Sequence, residues 1–159
     1  MEFIIESLEN LEISDKELSE LLFQVYVEGG FTSDGVAQKV LDPASVKKRG
    51  LIFGAREVST KEFSGMVIIV PPASSAIVRA KENECEMHLL GVKPKFRGKG
   101  LGRILVTKVI ETSQMNNWSK IVLWTQKPMK EAQNLYESFG FQPLEKMNRN
   151  GIEFIVYEK

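Results

Sequence analysis

Apolar and polar positions change period several times along the chain, and each change marks an element. "FIIES" (Phe3–Ser7) reads as a first strand. Leu18, Leu21, Leu22 and Val25 then recur at spacings of three and four, which predicts an amphipathic helix. "SDKE" ahead of them is a capping box, with Ser14 as the cap and Glu17 three residues on. Gly29-Gly30 closes that run. A second helix is expected from about Asp34 to Leu41, stopping before Asp42-Pro43 because a residue ahead of proline is pushed out of the helical region. "LIFGARE" (Leu51–Glu57) and "FSGMVIIV" (Phe63–Val70) flank the polar "VSTKE" and predict an antiparallel hairpin. "PPASS" (Pro71–Ser75) interrupts the chain as a loop.

The second half is more regular. "CEMHLLGV" (Cys85–Val92) alternates at first and ends almost wholly apolar, as a central strand does. A helix carrying Leu101, Ile104, Leu105, Val109 and Thr112 follows from about Gly100 to Gln114, then the β-branched strand "KIVLWT" (Lys120–Thr125). In "KEAQNLYESFGF", Ala132, Leu135, Tyr136 and Phe139 share one helical face and Gly140 supplies the stop. "PLEKM" and "IEFIVYE" form a final hairpin about Asn150-Gly151. Strand 85–92, helix 100–114 and strand 120–125 make one βαβ unit, whose strands must be parallel and whose crossover must be right-handed. The remaining strands should pair antiparallel. The expected fold is α/β of the α+β type: a mixed, mostly antiparallel sheet of about six or seven strands with helices on both faces. The chain of 159 residues is read as a single domain, 1–159.

Composition narrows the function. Apolar residues are 43% and charged residues 26%, ordinary for a globular protein. The 21 basic residues balance the 21 acidic ones, which argues against a dedicated nucleic-acid binder or membrane-surface partner. Cys85 is the only cysteine, so no internal disulfide can form. The start "MEFIIESLEN" is acidic and lacks the features of a signal peptide, and no apolar run reaches the roughly 18 residues of a spanning helix. The expected location is cytoplasmic.

Against that neutral background, "VKPKFRGKGLGRIL" (Val92–Leu105) stands out. It carries Lys93, Lys95, Arg97, Lys99 and Arg103 around Gly98, Gly100 and Gly102, at the junction of a strand and a helix. A helix N-terminus presents unpaired N–H groups and a partial positive charge, and glycine lets a ligand approach that backbone closely. By mechanism this is a phosphate site. Neither the P-loop nor the G-x-G-x-x-G dinucleotide pattern fits; what is present is R-x-x-G-x-G, as Arg97, Gly100 and Gly102.

"EMHLLGVKPKFRGKGLGRILV" resembles the acetyl-CoA motif of the GNAT superfamily of N-acetyltransferases, and "EAQNLYESFGF" resembles that superfamily's next motif. With the strand between them they cover Glu86 to Phe141. The resemblance implies acetyl-CoA as co-substrate and no metal. The backbone of Arg97, Gly98, Lys99, Gly100, Leu101 and Gly102 would hold the pyrophosphate. Leu90 and Val92 would pair with the pantetheine arm like an added strand. Strands 85–92 and 120–125 would splay apart to admit it, and a bulge in the first would offer an N–H to the thioester carbonyl.

The chemistry asks for a base, a donor to the developing negative charge and an acid. Freeing an amine of pKa near 10.4 at pH 7 costs about 4.6 kcal/mol. Tyr136 matches the superfamily's A-x-x-L-Y tyrosine and is the acid candidate, although its spacing also suits a core aromatic. Glu86 is the leading base candidate, acting through water. Glu84 and His88, the only histidine, fall on the same face of the strand and compete with it. Many family members have an asparagine seven residues before the tyrosine; here that place is Met129, so the contact is either absent or taken over by Gln126 or Asn134 in a shifted alignment, and the role is not assigned.

The function read from the sequence is direct transfer of an acetyl group from acetyl-CoA to a primary amine of a small molecule or peptide. A catalytically silent acyl-CoA-binding regulator is the alternative. The acceptor region, "GGFTSDG" and "VPPASSAIVRAKENE", mixes Glu28, Asp34, Arg79 and Glu82 and does not select an amine. Dimers are common in the superfamily, so a homodimer is an open expectation.

Overall fold

The computed structural model describes residues 1–159, the side chain of Asp34 excepted. Seven strands form one sheet in the order β1-β2-β3-β4-β5-β7-β6. They are β1 (Phe3–Ser7), β2 (Leu51–Glu57), β3 (Phe63–Val70), β4 (Glu84–Val92), β5 (Lys120–Gln126), β6 (Gln142–Arg149) and β7 (Ile152–Glu158). Every neighbouring pair is antiparallel except β4 and β5, which are parallel, as the single βαβ unit requires. The expected mixed, mostly antiparallel sheet is therefore the observed one.

Helices cover both faces. On one side lie α1 (Asp15–Leu22), α2 (Asp34–Val40) and α3 (Pro43–Lys47), with Leu18, Leu21, Val46, Met66 and Ile68 in a shared core. On the other lie α4 (Leu101–Met115) and α5 (Lys130–Ser138), where Leu101, Leu105, Val109 and Tyr136 meet Val67, Ile69 and Leu123. Strand β3 is buried along its whole length, which explains its unbroken apolar run. Strand β6 is the opposite. It is an edge strand, exposed at nearly every position and interrupted by Pro143.

Local signals set several boundaries. Ser14 and Glu17 form both bonds of the capping box. Asn150 and Gly151 take φ of 52° and 78°, the left-handed pair that a two-residue hairpin turn needs. Two features depart from the periodicity. The first helix does not run as α-helix to Gly29. It becomes a π-helical turn over Phe23–Val27, and Tyr26 within it reaches the Leu90 carbonyl of β4. The short α3 also appears directly after Asp42, whose side chain caps it through the Ser45 N–H.

These contributions differ in size. Ser14→Ala should cost about 1 kcal/mol, the worth of a cap. Leu105→Ala, at a fully buried position between α4 and the sheet, should cost about 2–5 kcal/mol. Urea unfolding midpoints at unchanged m-value measure both, and equal losses would contradict this ranking.

Candidate functional site

The site is built where β4 and β5 part. Their parallel register runs only from Glu84–Lys120 to Glu86–Val122, although β4 continues to Val92 and β5 to Gln126. Beyond that point the facing edges no longer share a ladder. On its other edge β4 also breaks step with β3. Ile68 pairs with His88 and Met66 with Gly91, so Leu89 and Leu90 stand opposite Val67 alone. Leu89 has φ of 49°. This is a bulge, and it frees backbone groups from the ladder. Tyr26 comes from the π turn and donates its hydroxyl to the Leu90 carbonyl at 3.1 Å.

Below the gap lies the glycine loop. Pro94–Phe96 makes one 3-10 turn anchored by the buried Phe96. Gly98 and Gly100 take φ of 73° and 81°, and a Cβ built at either would meet nothing within 4 Å. Gly100 is the N-cap of α4 and supplies no side-chain cap. The first bond of the helix runs from Ile104 N–H to Gly100 O, which leaves the N–H groups of Leu101, Gly102 and Arg103 without intrahelical acceptors. Gly102 has a separate reason: a Cβ there would press on Leu135 of α5 at 3.3 Å. The cations of the loop are not equivalent. Lys93 and Lys95 both pair with Glu62, and Arg97 Nε donates back to Val92 O at 3.1 Å. The open, uncapped helix start fits an anionic diphosphate better than a lysine cluster would by itself.

Glu86 and His88 lie on the α1 side of the sheet. The Glu86 carboxylate is wholly buried and accepts the backbone N–H groups of Val78, Arg79 and Ala80 at 3.0, 2.5 and 2.7 Å. It also meets His88 Nε2 at 2.8 Å. Burial alone would raise its pKa, but the bonds from His88, Ala80, Arg79 and Val78 outweigh burial and hold the carboxyl below its ordinary value. Glu86 is thus engaged on all sides, with no direct path to an amine. His88 is the member of the pair with a spare nitrogen. Its Nδ1 is buried and has no partner among the described residues. Glu84 accepts the Lys81 N–H at 2.8 Å and so holds the base of the same loop.

Tyr136 sits on the opposite face, packed edge-on to Phe141 at 6.0 Å and tilted against Tyr157 at 6.2 Å. Burial pushes its hydroxyl pKa up strongly, and Tyr26 adds to the shift from across the gap. A protonated phenol therefore stands on one side of the parted strands and an imidazole on the other.

Four further side chains that periodicity did not single out are linked in turn, and the first of them touches His88. Trp124 of β5 packs edge-on to the imidazole at 4.9 Å, and the Arg149 guanidinium lies 5.7 Å from the indole centre. Arg49, just after α3, donates to Val40 O at 2.8 Å, and its charge acts on both Tyr26 and Arg149. Tyr26 is the fourth. Trp124 lies within the unbroken strand "KIVLWT", Arg49 follows α3 and Arg149 ends β6, so no single period relates them. Gln126 is spent on the Phe31 carbonyl at 2.7 Å, and Met129 accepts from Thr125 Oγ1. Arg79 pairs with Glu145, and the side chain of Asp34 lies outside the described residues.

The pattern of the acetyltransferase (GNAT) family matches residues 16–141, and the chain belongs to that family. The chain is 38% identical over 78 residues to the N-acetylaspartate synthetase of Danio rerio, which covers 49% of this chain and 27% of that protein. It is 41% identical over 73 residues to an uncharacterized N-acetyltransferase of Schizosaccharomyces pombe, covering 46% and 45% of the two. The chain thus spans less than half the length of these relatives. Its fold matches the PaiA N-acetyltransferase of Thermoplasma acidophilum, solved in complex with coenzyme A, with a TM-score of 0.71 at 18% identity over 100% of this chain and 99% of that one.

Glu86→Gln should test the buried carboxylate. A depressed folded pKa stabilises above the unfolded value near 4.3 and loses that contribution as pH falls through the folded value. The substitution should cost about 2–4 kcal/mol at pH 7. It should also make the loss of stability between pH 5 and pH 3 shallower than in the parent protein. Parallel acid limbs in urea titrations would contradict the role given to Glu86.

Proposed function

We propose that the protein is an N-acetyltransferase that moves an acetyl group from acetyl-CoA directly to a primary amine. One observation carries the reading: the gap between β4 and β5 opens above the uncapped, glycine-lined start of α4. Membership of the GNAT family and the coenzyme A complex of a structural neighbour support it.

The backbone of Arg97, Gly98, Lys99, Gly100, Leu101 and Gly102 receives the pyrophosphate, where N–H groups point outward and the glycines leave room. Leu90 and Val92 offer their edge of β4, unpaired beyond Glu86, to the pantetheine amides. Acetyl-CoA supplies the acetyl group already activated as a thioester.

His88 Nδ1 takes the proton that the amine sheds, and Glu86 holds the other nitrogen of the ring. This moves the base from Glu86, favoured on sequence, to its neighbour. Glu86 becomes the positioning residue. The bulge at Leu89 and Leu90 places backbone groups outside the ladder, where a donor can meet the charge that develops on the carbonyl. Tyr136, kept protonated by burial, gives a proton to the departing sulfur.

A free-thiol assay with acetyl-CoA against a panel of amines tests the reading. Aspartate belongs in the panel because the Danio rerio relative is an N-acetylaspartate synthetase. Tyr136→Phe should lower kcat by about 100-fold or more while calorimetric binding of acetyl-CoA persists. Binding without thiol release for any amine would favour the silent regulator, and no binding at all would remove the whole proposal.

A further inference from the structure

Arg56 pairs with Glu17 and Arg79 with Glu145, but neither Arg49 nor Arg149 has a carboxylate partner among the described residues. Arg49 is half-buried, and burial holds its pKa below the ordinary value, with the Arg149 charge adding to that shift and Tyr26 opposing it. A guanidinium without an acidic side-chain partner offers a planar fork of donors that matches a carboxylate.

Their position says which anion. Arg149 lies over Trp124 at 5.7 Å, and the other side of that contact chain is His88 at 4.9 Å from the indole. A single indole therefore separates the cationic end from the buried, unpartnered Nδ1. Tyr26 binds Leu90 O at the bulge, two residues along β4 from His88. The contact chain from His88 through Trp124 to Arg149 thus has an unpartnered ring nitrogen at one end and a forked donor at the other. A polyamine or an aminoglycoside would bring cations to the arginines and be repelled.

We propose that Arg49 and Arg149 form the carboxylate-binding end of the acceptor site, so that the acceptor is a small dicarboxylic amino acid with its amine directed at His88. This rests on the transferase reading for its chemistry but not for its binding. The amine loses a proton to His88, its nitrogen forms the amide bond, and the carbon–sulfur bond of the thioester breaks. The guanidinium forks stay bonded to carboxylate throughout and fix which end of the molecule enters.

Two measurements keep the inference and the transferase reading apart. In the thiol assay, L-aspartate or L-glutamate should exceed asparagine, glutamine and spermidine in kcat/KM. Arg149→Gln, at an exposed position that should still fold, should lower kcat/KM for the acidic amino acid by about 10- to 100-fold, chiefly through KM. Arg149→Lys should recover part of that loss. Preference for spermidine or the neutral amides, or an equal loss on every amine, overturns the inference. By calorimetry with coenzyme A present, L-aspartate or L-glutamate should give heat with the parent protein and markedly less with Arg149→Gln. If no amine releases thiol yet this heat appears and depends on Arg149, the anion site stands and the transferase reading falls. If neither acidic amino acid gives heat, the inference falls, whatever other amine is acetylated.

Discussion

Where two parallel strands stop sharing hydrogen bonds, each exposes a row of backbone donors and acceptors that must be satisfied another way. Here this happens one residue after the last β4–β5 pair, Glu86 with Val122. The parting turns a structural sheet into a slot. Its rims are the bulge at Leu89 and Leu90 on one side and the end of β5 on the other, and the open start of α4 lies beneath it. Remove the parting and the glycine loop would still be an anion site, but the two faces of the sheet would have no connection.

The slot is kept open by what flanks it. Glu86, the last residue of β4 paired with β5, folds the segment Val78–Ala80 over the sheet through three backbone bonds and turns His88 with a fourth. A buried carboxylate with fewer donors would be costly, and one with this many is a fixed anchor. Tyr26 binds the Leu90 carbonyl from the opposite wall, and Gln126 ties the end of β5 to Phe31. The elements before β2 thus shape the acceptor side, while β4, α4 and α5 shape the side given to the co-substrate.

The sequence revealed the second half of this far better than the first. The α4 and β5 patterns are long and strictly periodic, and the capping box and Asn150-Gly151 are local rules that need no tertiary information. The spacing of Gly98 and Gly100 carries its own mechanism, and both take a left-handed φ at the start of α4. What stayed hidden depends on pairing across the chain. That Glu62 takes up Lys93 and Lys95 follows from the β3–β4 register. That Glu86 is locked follows from a loop of which alternation says nothing. Alternation did put Glu84, Glu86 and His88 on one face, but it could not say which of them kept a free atom. Trp124 meets His88, and Arg149 meets Trp124, from elements far apart in sequence, and no period relates them.

The placement of the titratable groups favours direct transfer over a covalent detour. Cys85 lies on the face of α4 and Tyr136, beside the slot, where an acyl-cysteine would have to form. Burial pushes its thiol up to about 11, against the opposing bond from Ser113, so almost none is thiolate near neutral pH. The thiolate is the nucleophile, and its scarcity leaves Cys85 a packing residue. Tyr136 on that same face is likewise held in its protonated form, which suits a group that gives a proton and not one that takes it. The unpartnered ring nitrogen, His88 Nδ1, is on the other face. In the proposed reaction the amine arrives from the imidazole side and the thiol leaves on the phenol side, so donor and acceptor never compete for one proton carrier. Two parted strands supply that separation without any moving part, and the sheet itself divides base from acid.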